Sequence, residues 1–332
     1  MPGMISHYLC GELCAARLRG RDIGGVVERH RQIYNLGTQG PDFFFYYIPC
    51  LIMPKIYRLG NVMHTSRVGQ FFGSLLEHAM RLSGSERDAA LSYICGYLTH
   101  YALDTNAHPY IYYKSGFKTE GDSRPSLHYS IMHRNFETNL DILMLKLASD
   151  EKPADKKLWQ LISVSHKQAI SAAGVISGGL RDVYGIELSK RQVYRAMHSM
   201  VAISRVLQSK SGRRKSMIGA VEGLLMPERG YISSLIHDQE ACGAQDYLNL
   251  QRETWYYPWD NPADEHAEKQ NYAFTDMFHK SVDDSVMFIE NFECLVGGDM
   301  DMDDFLEIIG NKSFTTGQDC SAELSFRYHA AQ

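Results

Sequence analysis

The seven cysteines, at 10, 14, 50, 95, 242, 294 and 320, form no CxxC pair and are odd in number. Such scatter argues against a disulfide framework and fits reduced, mostly buried thiols. Basic excess is lacking as well. With 34 Lys and Arg against 39 Asp and Glu, a formal charge of -5 and an isoelectric point near 6.3, the chain does not read as a dedicated nucleic-acid binder. Its one concentrated basic run, Lys210 to Lys215, reads as a solvated loop. The opening "MPGMISHYLCGELCAARL" has no positive start followed by an apolar stretch and a small-residue cleavage site, so the expected location is the cytoplasm. The longest apolar run, Phe43 to Pro54, is broken by Pro49 and falls short of the roughly 20 residues that a bilayer span needs. No transmembrane helix is expected.

Alternating strand patterns and Asn-Gly hairpin signals are scarce, whereas helical periodicity runs through long segments punctuated by Gly and Pro. The expected fold class is all-α. Over 86–106, Leu91, Ile94, Leu98 and Ala102 recur at helical spacing, and no Asp, Glu, Lys or Arg occurs from Ala89 to Tyr101. A helix that is apolar all round is buried all round. A second helix follows Pro125, from Ser126 to Ala148, with Tyr129, Phe136, Leu140, Leu143 and Leu147 on one stripe and His133 and Glu137 at its edge. The charged stretch 149–157 reads as a linker, followed by helices at about 158–182, 189–209 and 273–296. The expected organisation is a helical domain over 1–148 and a helical extension over 158–332 packed on it.

Eight of the fourteen histidines (7, 30, 64, 78, 100, 108, 128 and 133) lie before residue 137, which directs the search for chemistry to the N-terminal part. His100 and Asp104, four apart, share one helix face with Cβ atoms roughly 5–6 Å apart. That face lies opposite the Leu91, Leu98 and Ala102 stripe. A buried carboxylate there requires a cation, because leaving it unpaired costs several kcal/mol. Two readings stand: a His–Asp pair bonded to each other in the core, or two ligands to one ion. His133 and Glu137 repeat the spacing on the second helix. Together with His108, four residues beyond Asp104, the pattern reads as a polynuclear site inside a helical bundle, with ligands projecting from facing helices.

These residues resemble the zinc-dependent phospholipase C family, relatives of the helical phospholipase C enzymes and of nucleases built on the same plan. The matching pieces are "SHYL" at 6–9, "QGPDFFFYY" at 39–47, "LGNVMHT" at 59–65, "GYLTHYALDTNAHPY" at 96–110 and "HRNFETNLD" at 133–141. They arrive in family order over about the first 145 residues, and "WDNPADEHAEKQNYAFTDMF" and "NKSFTTGQDC" resemble C-terminal segments of bacterial members. The resemblance implies a multi-helix bundle in which Asp42, His64, His100 and Asp104 surround one zinc and His108, His133 and Glu137 hold a second. Asp104 would bridge toward a third ion that also takes His7. Read without the family, His7 and Asp42 are cap or loop residues and His64 is a surface histidine.

This sequence departs from the extracellular, lipid-cleaving members in three places. In those enzymes a freed N-terminal amine, a dozen or so residues before the first histidine, ligates the third metal, whereas His7 stands six residues after Met1. The spacing from Asp104 to His108 is shorter, as in cytoplasmic-type bacterial relatives. Phe43 follows the metal aspartate as expected, but Asn61 stands where choline-lipid enzymes carry a second aromatic, so choline specificity is not implied.

The implied chemistry is phosphodiester hydrolysis by a metal-held water. Zinc lowers the pKa of such a water to about 7, and two ions about 3.5–4 Å apart stabilise both attacking and leaving oxygens. Mixed imidazole and carboxylate donors suit zinc, with two or three ions, although manganese or iron also fit. Asp42 or Glu137 would take the proton besides ligating. The expected substrate is a phosphodiester, of phospholipid type, met through transient contact with a membrane surface. The aromatic stretch 43–57 reads as core more readily than as a lip that meets lipid. Two alternatives stay open: a nuclease or nucleotide phosphodiesterase with the same metal chemistry, and a non-catalytic module that keeps metals for stability. The only His-Asp dipeptide, His237-Asp238, lies outside the histidine-rich region, which disfavours an HD-type phosphohydrolase.

Overall fold

A computed structural model describes residues 3–47, 54–153, 155–208, 213–225, 230–238, 240 and 245–330. The all-α expectation holds: thirteen α-helices accompany a single two-stranded ribbon among the described residues. In chain order they are α1 (Met4–Arg17), α2 (Asp22–Arg29), α3 (Arg31–Gly37), α4 (Pro54–Thr65), α5 (Val68–Met80), α6 (Gly84–Ser115) and α7 (Ser126–Ser149). Then come α8 (Leu158–Leu161), α9 (His166–Tyr184), α10 (Lys190–Leu207), α11 (Arg213–Leu225), α12 (Phe274–Gly297) and α13 (Met302–Ile309). A 3-10 turn, Asp42–Tyr46, lies between α3 and α4, another, Ser233–Leu235, follows α11, and Trp255–Tyr256 pairs antiparallel with Lys269–Gln270.

Helix α6 is the axis, packed against α1, α2, α3, α5, α7, α9 and α12. Its burial on all sides is what the uncharged run from Ala89 to Tyr101 requires. The expected end near 106 is a miss, since the helix continues through Pro109 to Ser115 and closes at Gly116, whose N–H donates to the Tyr112 carbonyl. An interior proline costs about 3 kcal/mol. Ala107, Tyr110 and Ile111 around it are wholly buried, and at about 1.5–3 kcal/mol per large apolar side chain that burial outweighs the lost bond. His108 therefore stays on the same helix, one turn beyond Asp104.

Two apolar cores divide along α6: one gathers around Phe72, Tyr97, Leu98 and Phe292, the other around Leu103, Tyr110, Phe136 and Phe274. Helix α3 crosses α6 with backbone touching backbone. A Cβ on Gly96 would come 2.1 Å from the Tyr34 carbonyl oxygen, and one on Gly37 2.3 Å from that of Tyr93, so only glycine fits the crossing.

Elsewhere α7, α10 and α12 follow the expected ranges closely. The predicted helix 158–182 is two pieces, because Ser165 caps a fresh start by accepting from the Gln168 N–H at 3.4 Å. Of the basic run, 210–212 lie outside the described residues, and Arg213 to Lys215 open α11 instead of forming a loop. Among the described residues no helix is long and apolar enough to cross a membrane.

Candidate metal centre

Helix α6 presents His100, Asp104 and His108 on one face, at most 2% exposed. The other donors come to that face for separate reasons. Asp141 of α7, wholly buried, accepts from the backbone N–H groups of Ile5 and Ser6 at 2.9 and 2.8 Å and from the Ser6 hydroxyl at 2.7 Å. A carboxylate on a helix N-terminus satisfies orphan donors and opposes the dipole. The capping of α1 thus belongs to Asp141, and His7 turns inward to place Nε2 3.2 Å from Asp104 Oδ1. After α3 the chain turns at Gly40, φ +50°, so close to the site that a Cβ would sit 2.2 Å from a carbon of the His100 ring. That turn delivers Asp42, 4% exposed, with Oδ1 3.2 Å from His64 Nε2 and 3.8 Å from His100 Nε2. The surface reading of His64 is corrected: it lies in the last turn of α4 at 5% exposure. Helix α7 brings His133 and Glu137, 2.9 Å apart, with the His133 ring stacked at 5.8 Å from that of His108.

Three sets of donor atoms lie within 4.8 Å of one another: His7, Asp42 and His100; His64, His100 and Asp104; His108, His133 and Glu137. Asp104 turns Oδ1 to His7, and Oδ2 to His100 at 3.1 Å and His64 at 3.6 Å. All eight residues singled out from the sequence therefore meet in one region, as an inner group of five and an outer group of three.

The hydrogen bonds sort the ring nitrogens. His64 Nδ1 faces the Gly60 carbonyl at 2.5 Å, His100 Nδ1 that of Thr38 at 3.2 Å and His108 Nδ1 that of Phe314 at 2.6 Å. A carbonyl only accepts, so these Nδ1 atoms carry a proton, and in the neutral ring the lone pair is on Nε2. Those Nε2 atoms are buried and, among the described residues, have no hydrogen-bond partner, and the same holds for both His7 nitrogens, Asp42 Oδ1 and both Asp104 oxygens. Leaving one buried polar atom unpaired costs about 1–3 kcal/mol. A group of converging lone pairs this large calls for a cation. Donors sharing a tetrahedral zinc at 2.0–2.1 Å would stand roughly 3.3 Å apart, close to the contacts found here.

Burial holds the His108 and His133 imidazoles below their ordinary pKa, and burial with the neighbouring His100 does the same to His7. Burial opposes ionisation of Asp104, but His100 and His108 outweigh it and keep the carboxyl well below the usual range. For Glu137, burial is outweighed chiefly by His133, and its pKa is pulled down to about 2. His100 differs: burial would depress it, yet Asp104 and Asp42 hold it above its ordinary value. At neutral pH the outer group already has the protonation state that binds metal.

A cavity of about 790 Å³ opens on the outer group and touches His64, with Phe45, Tyr46, Tyr112, Phe117 and Ile203 in its wall. A smaller polar compartment of about 100 Å³ lies on the far side of Glu137 and Asp42, beside Gln39, Thr138 and Lys156. The core reading of the aromatic stretch fits Phe43 and Phe44, which are wholly buried, but Phe45 faces the cavity, and 48–53 lie outside the described residues.

Phe314 was legible only as part of "NKSFTTGQDC", with no role attached. Its N–H donates to the His64 carbonyl at 2.8 Å, its carbonyl accepts from His108, and its ring lies 4.9 Å from that of His64. One residue thus steadies a histidine of each group, the outer-sphere support that metal sites depend on.

The family model described as zinc dependent phospholipase C matches residues 3–174, just over half of the chain and the stretch that contains all eight donors. Nothing among curated proteins or solved structures matches. With that match, and with buried donors suited to zinc at its centre, the chain belongs to the zinc-dependent phospholipase C family.

Proposed function

We propose that the protein hydrolyses the phosphodiester of an amphiphilic, phospholipid-like substrate. The observation that carries this reading is the placement of the outer donors: His108, His133 and Glu137 border a mostly apolar cavity of about 790 Å³, within the size range of small-molecule sites. The cavity holds the apolar alcohol, and the phosphate lies against the donor cluster. Asp42, His64, His100 and Asp104 would hold one ion, His108, His133 and Glu137 a second, and Asp104 with His7 a third. Bound there, zinc would supply positive charge for the phosphoryl oxygens and would lower the pKa of a water to about 7.

The chain's residues do the rest. The Nδ1–H bonds to Gly60, Thr38 and Phe314 fix the imidazole planes before substrate arrives. Asp42 and Glu137 border the polar compartment, where one of them takes the proton from the attacking water. Val206, Tyr231 and Ile232 on the cavity wall are 66%, 39% and 41% exposed, an apolar rim suited to transient contact with a lipid surface. Buried thiols at Cys10, Cys14 and Cys95 suit a reducing compartment.

Hydrolysis in water labelled with heavy oxygen tests the reaction. Attack on phosphorus places the label in the phosphomonoester; label in the alcohol would overturn the mechanism. Turnover of phospholipids without turnover of nucleotides is expected. The reverse selects a nuclease, and inactivity on every phosphodiester at full metal loading selects a non-catalytic module.

A further inference from the structure

Next to His133 on α7 stands a cation that the donor cluster leaves unused. Arg134 lines both the apolar cavity and the polar compartment, and so do Tyr46 and Glu137. Among the described residues its Nε donates to the Ser234 hydroxyl at 3.1 Å, and the group lies over the Tyr231 ring at 5.2 Å. Nη2 is buried and, among the described residues, has no hydrogen-bond partner. The acidic residue nearest along the helix, Glu137, is engaged by His133. Thr138 braces the arrangement by donating to the Arg134 carbonyl at 2.7 Å and lying 2.8 Å from that of Ser234.

A guanidinium is always charged, offers five donors in a planar fork and matches the oxygens of phosphate. A structural arginine would have its fork closed by a carboxylate or by carbonyls. Here the buried end of the fork is open, between the compartment suited to an apolar alcohol and the one beside the carboxylates. We propose that Arg134 is the receptor for the phosphoryl oxygens of the substrate and of its phosphomonoester product. This rests on the phosphodiesterase reading for its substrate, but its ligand chemistry, a phosphoryl anion, stands on the geometry alone. Tyr231 and Ser234 lie beyond the 3–174 stretch that matches the family, so the brace is supplied by the remainder of the chain.

The test is calorimetric titration of the metal-loaded, full-length protein with inorganic phosphate, with metal content measured on each sample. Arg134→Met should weaken phosphate binding at least about tenfold at unchanged metal content, since charge-assisted hydrogen bonds are the strong ones. On a short-chain phospholipid it should lower kcat/KM about 100-fold, comparable to removal of one preorganised donor. Competitive inhibition by phosphate should weaken in parallel, and Arg134→Lys should recover part of each loss. Ser234→Ala, which loosens the guanidinium without altering α7, should give a smaller weakening and serves if Arg134→Met fails to fold. Equal phosphate affinity in wild type and Arg134→Met at equal metal content would overturn the proposal, and so would a wild type that binds no phosphate. Arg134-dependent phosphate binding by a protein inactive on all phosphodiesters would remove the proposed reaction and keep this site. Hydrolysis with Arg134-independent phosphate binding would do the opposite.

Discussion

The inner and outer donor groups differ in where their residues come from and in what surrounds them. His7, Asp42, His64, His100 and Asp104 reach one point from α1, a 3-10 turn, α4 and α6, and none is more than 5% exposed. His108, His133 and Glu137 come from two helices, and their set borders the large cavity. Closing the inner group requires nearly the whole N-terminal half to be folded, so metal binding there is tied to stability. The outer group requires only that α6 and α7 face each other. It has the access that a substrate needs.

The largest effect should follow Asp104→Asn. The change removes the carboxylate that faces His7, His64 and His100 and leaves the buried imidazoles without their counter-charge. Breaking a buried charged pair costs about 3–5 kcal/mol. Melting temperature and metal content should both fall. If both stay at wild-type values, the inner group is not what ties metal to fold.

Glu137→Gln should have an intermediate effect. It removes one outer donor, so about 1–3 kcal/mol of stability is expected to go, together with hydrolysis and part of the bound metal. Elemental analysis should show the inner metal retained. A loss of stability as large as that of Asp104→Asn would erase the distinction between the groups.

The outer group was the more legible in sequence, for the same structural reason. His133 and Glu137 share a helix, and i,i+4 spacing is visible in any sequence. His108 also showed by its spacing from Asp104, although the expected helix ended near 106, before it; tertiary burial carries the helix on through Pro109. The inner group was half legible. His100 and Asp104 show the same spacing, but His7, Asp42 and His64 are separated by loops and read as cap, loop and surface residues without the family resemblance. The supports were not legible at all. Phe314 acts on His108 through a backbone carbonyl 206 residues away, and Asp141 caps a helix 136 residues earlier, contacts that no local pattern encodes. Arg134, next to His133, was plain in sequence, yet its open fork is visible only in three dimensions.

Proton release on metal loading should sharpen the comparison further, with a smaller effect. His108 and His133 titrate below the ordinary histidine value, so near pH 7 they are neutral and give up no proton to a metal. His100 titrates above it, so loading the inner group displaces more proton from His100 than the outer group gives up. Isothermal titration in buffers of different ionisation enthalpy should show greater proton release from the inner group than from the outer, the excess shrinking in Asp104→Asn. The same shifts act on metal-free stability with opposite sign. A raised His100 stabilises below about pH 6.5, and that contribution is lost as pH rises through its folded value. Lowered values at His108 and His133 contribute above about pH 6.5 and are lost as pH falls through their folded values. Equal proton release from both groups would contradict the assignment.

The smallest effect concerns the large cavity, which the whole outer group borders and which the inner group reaches through His64 alone. Asn61, exposed on α4, lies in its wall. An amide there has no particular attraction for a quaternary ammonium, whereas an aromatic face attracts such a cation by about 0.5–2 kcal/mol, depending on how far water is excluded. Asn61→Phe should therefore shift the ratio of kcat/KM for choline over ethanolamine phospholipids by roughly 2- to 30-fold in favour of choline, a range set by that energy. Because the position is exposed and supplies no donor, melting temperature should move by no more than surface substitutions usually cause, and metal content should not change. An unchanged ratio would mean that the headgroup lies away from Asn61, in the polar compartment beside Gln39 and Lys156. A loss of metal would mean that the wall and the inner group are not separable, since Asn61 stands one helical turn before His64.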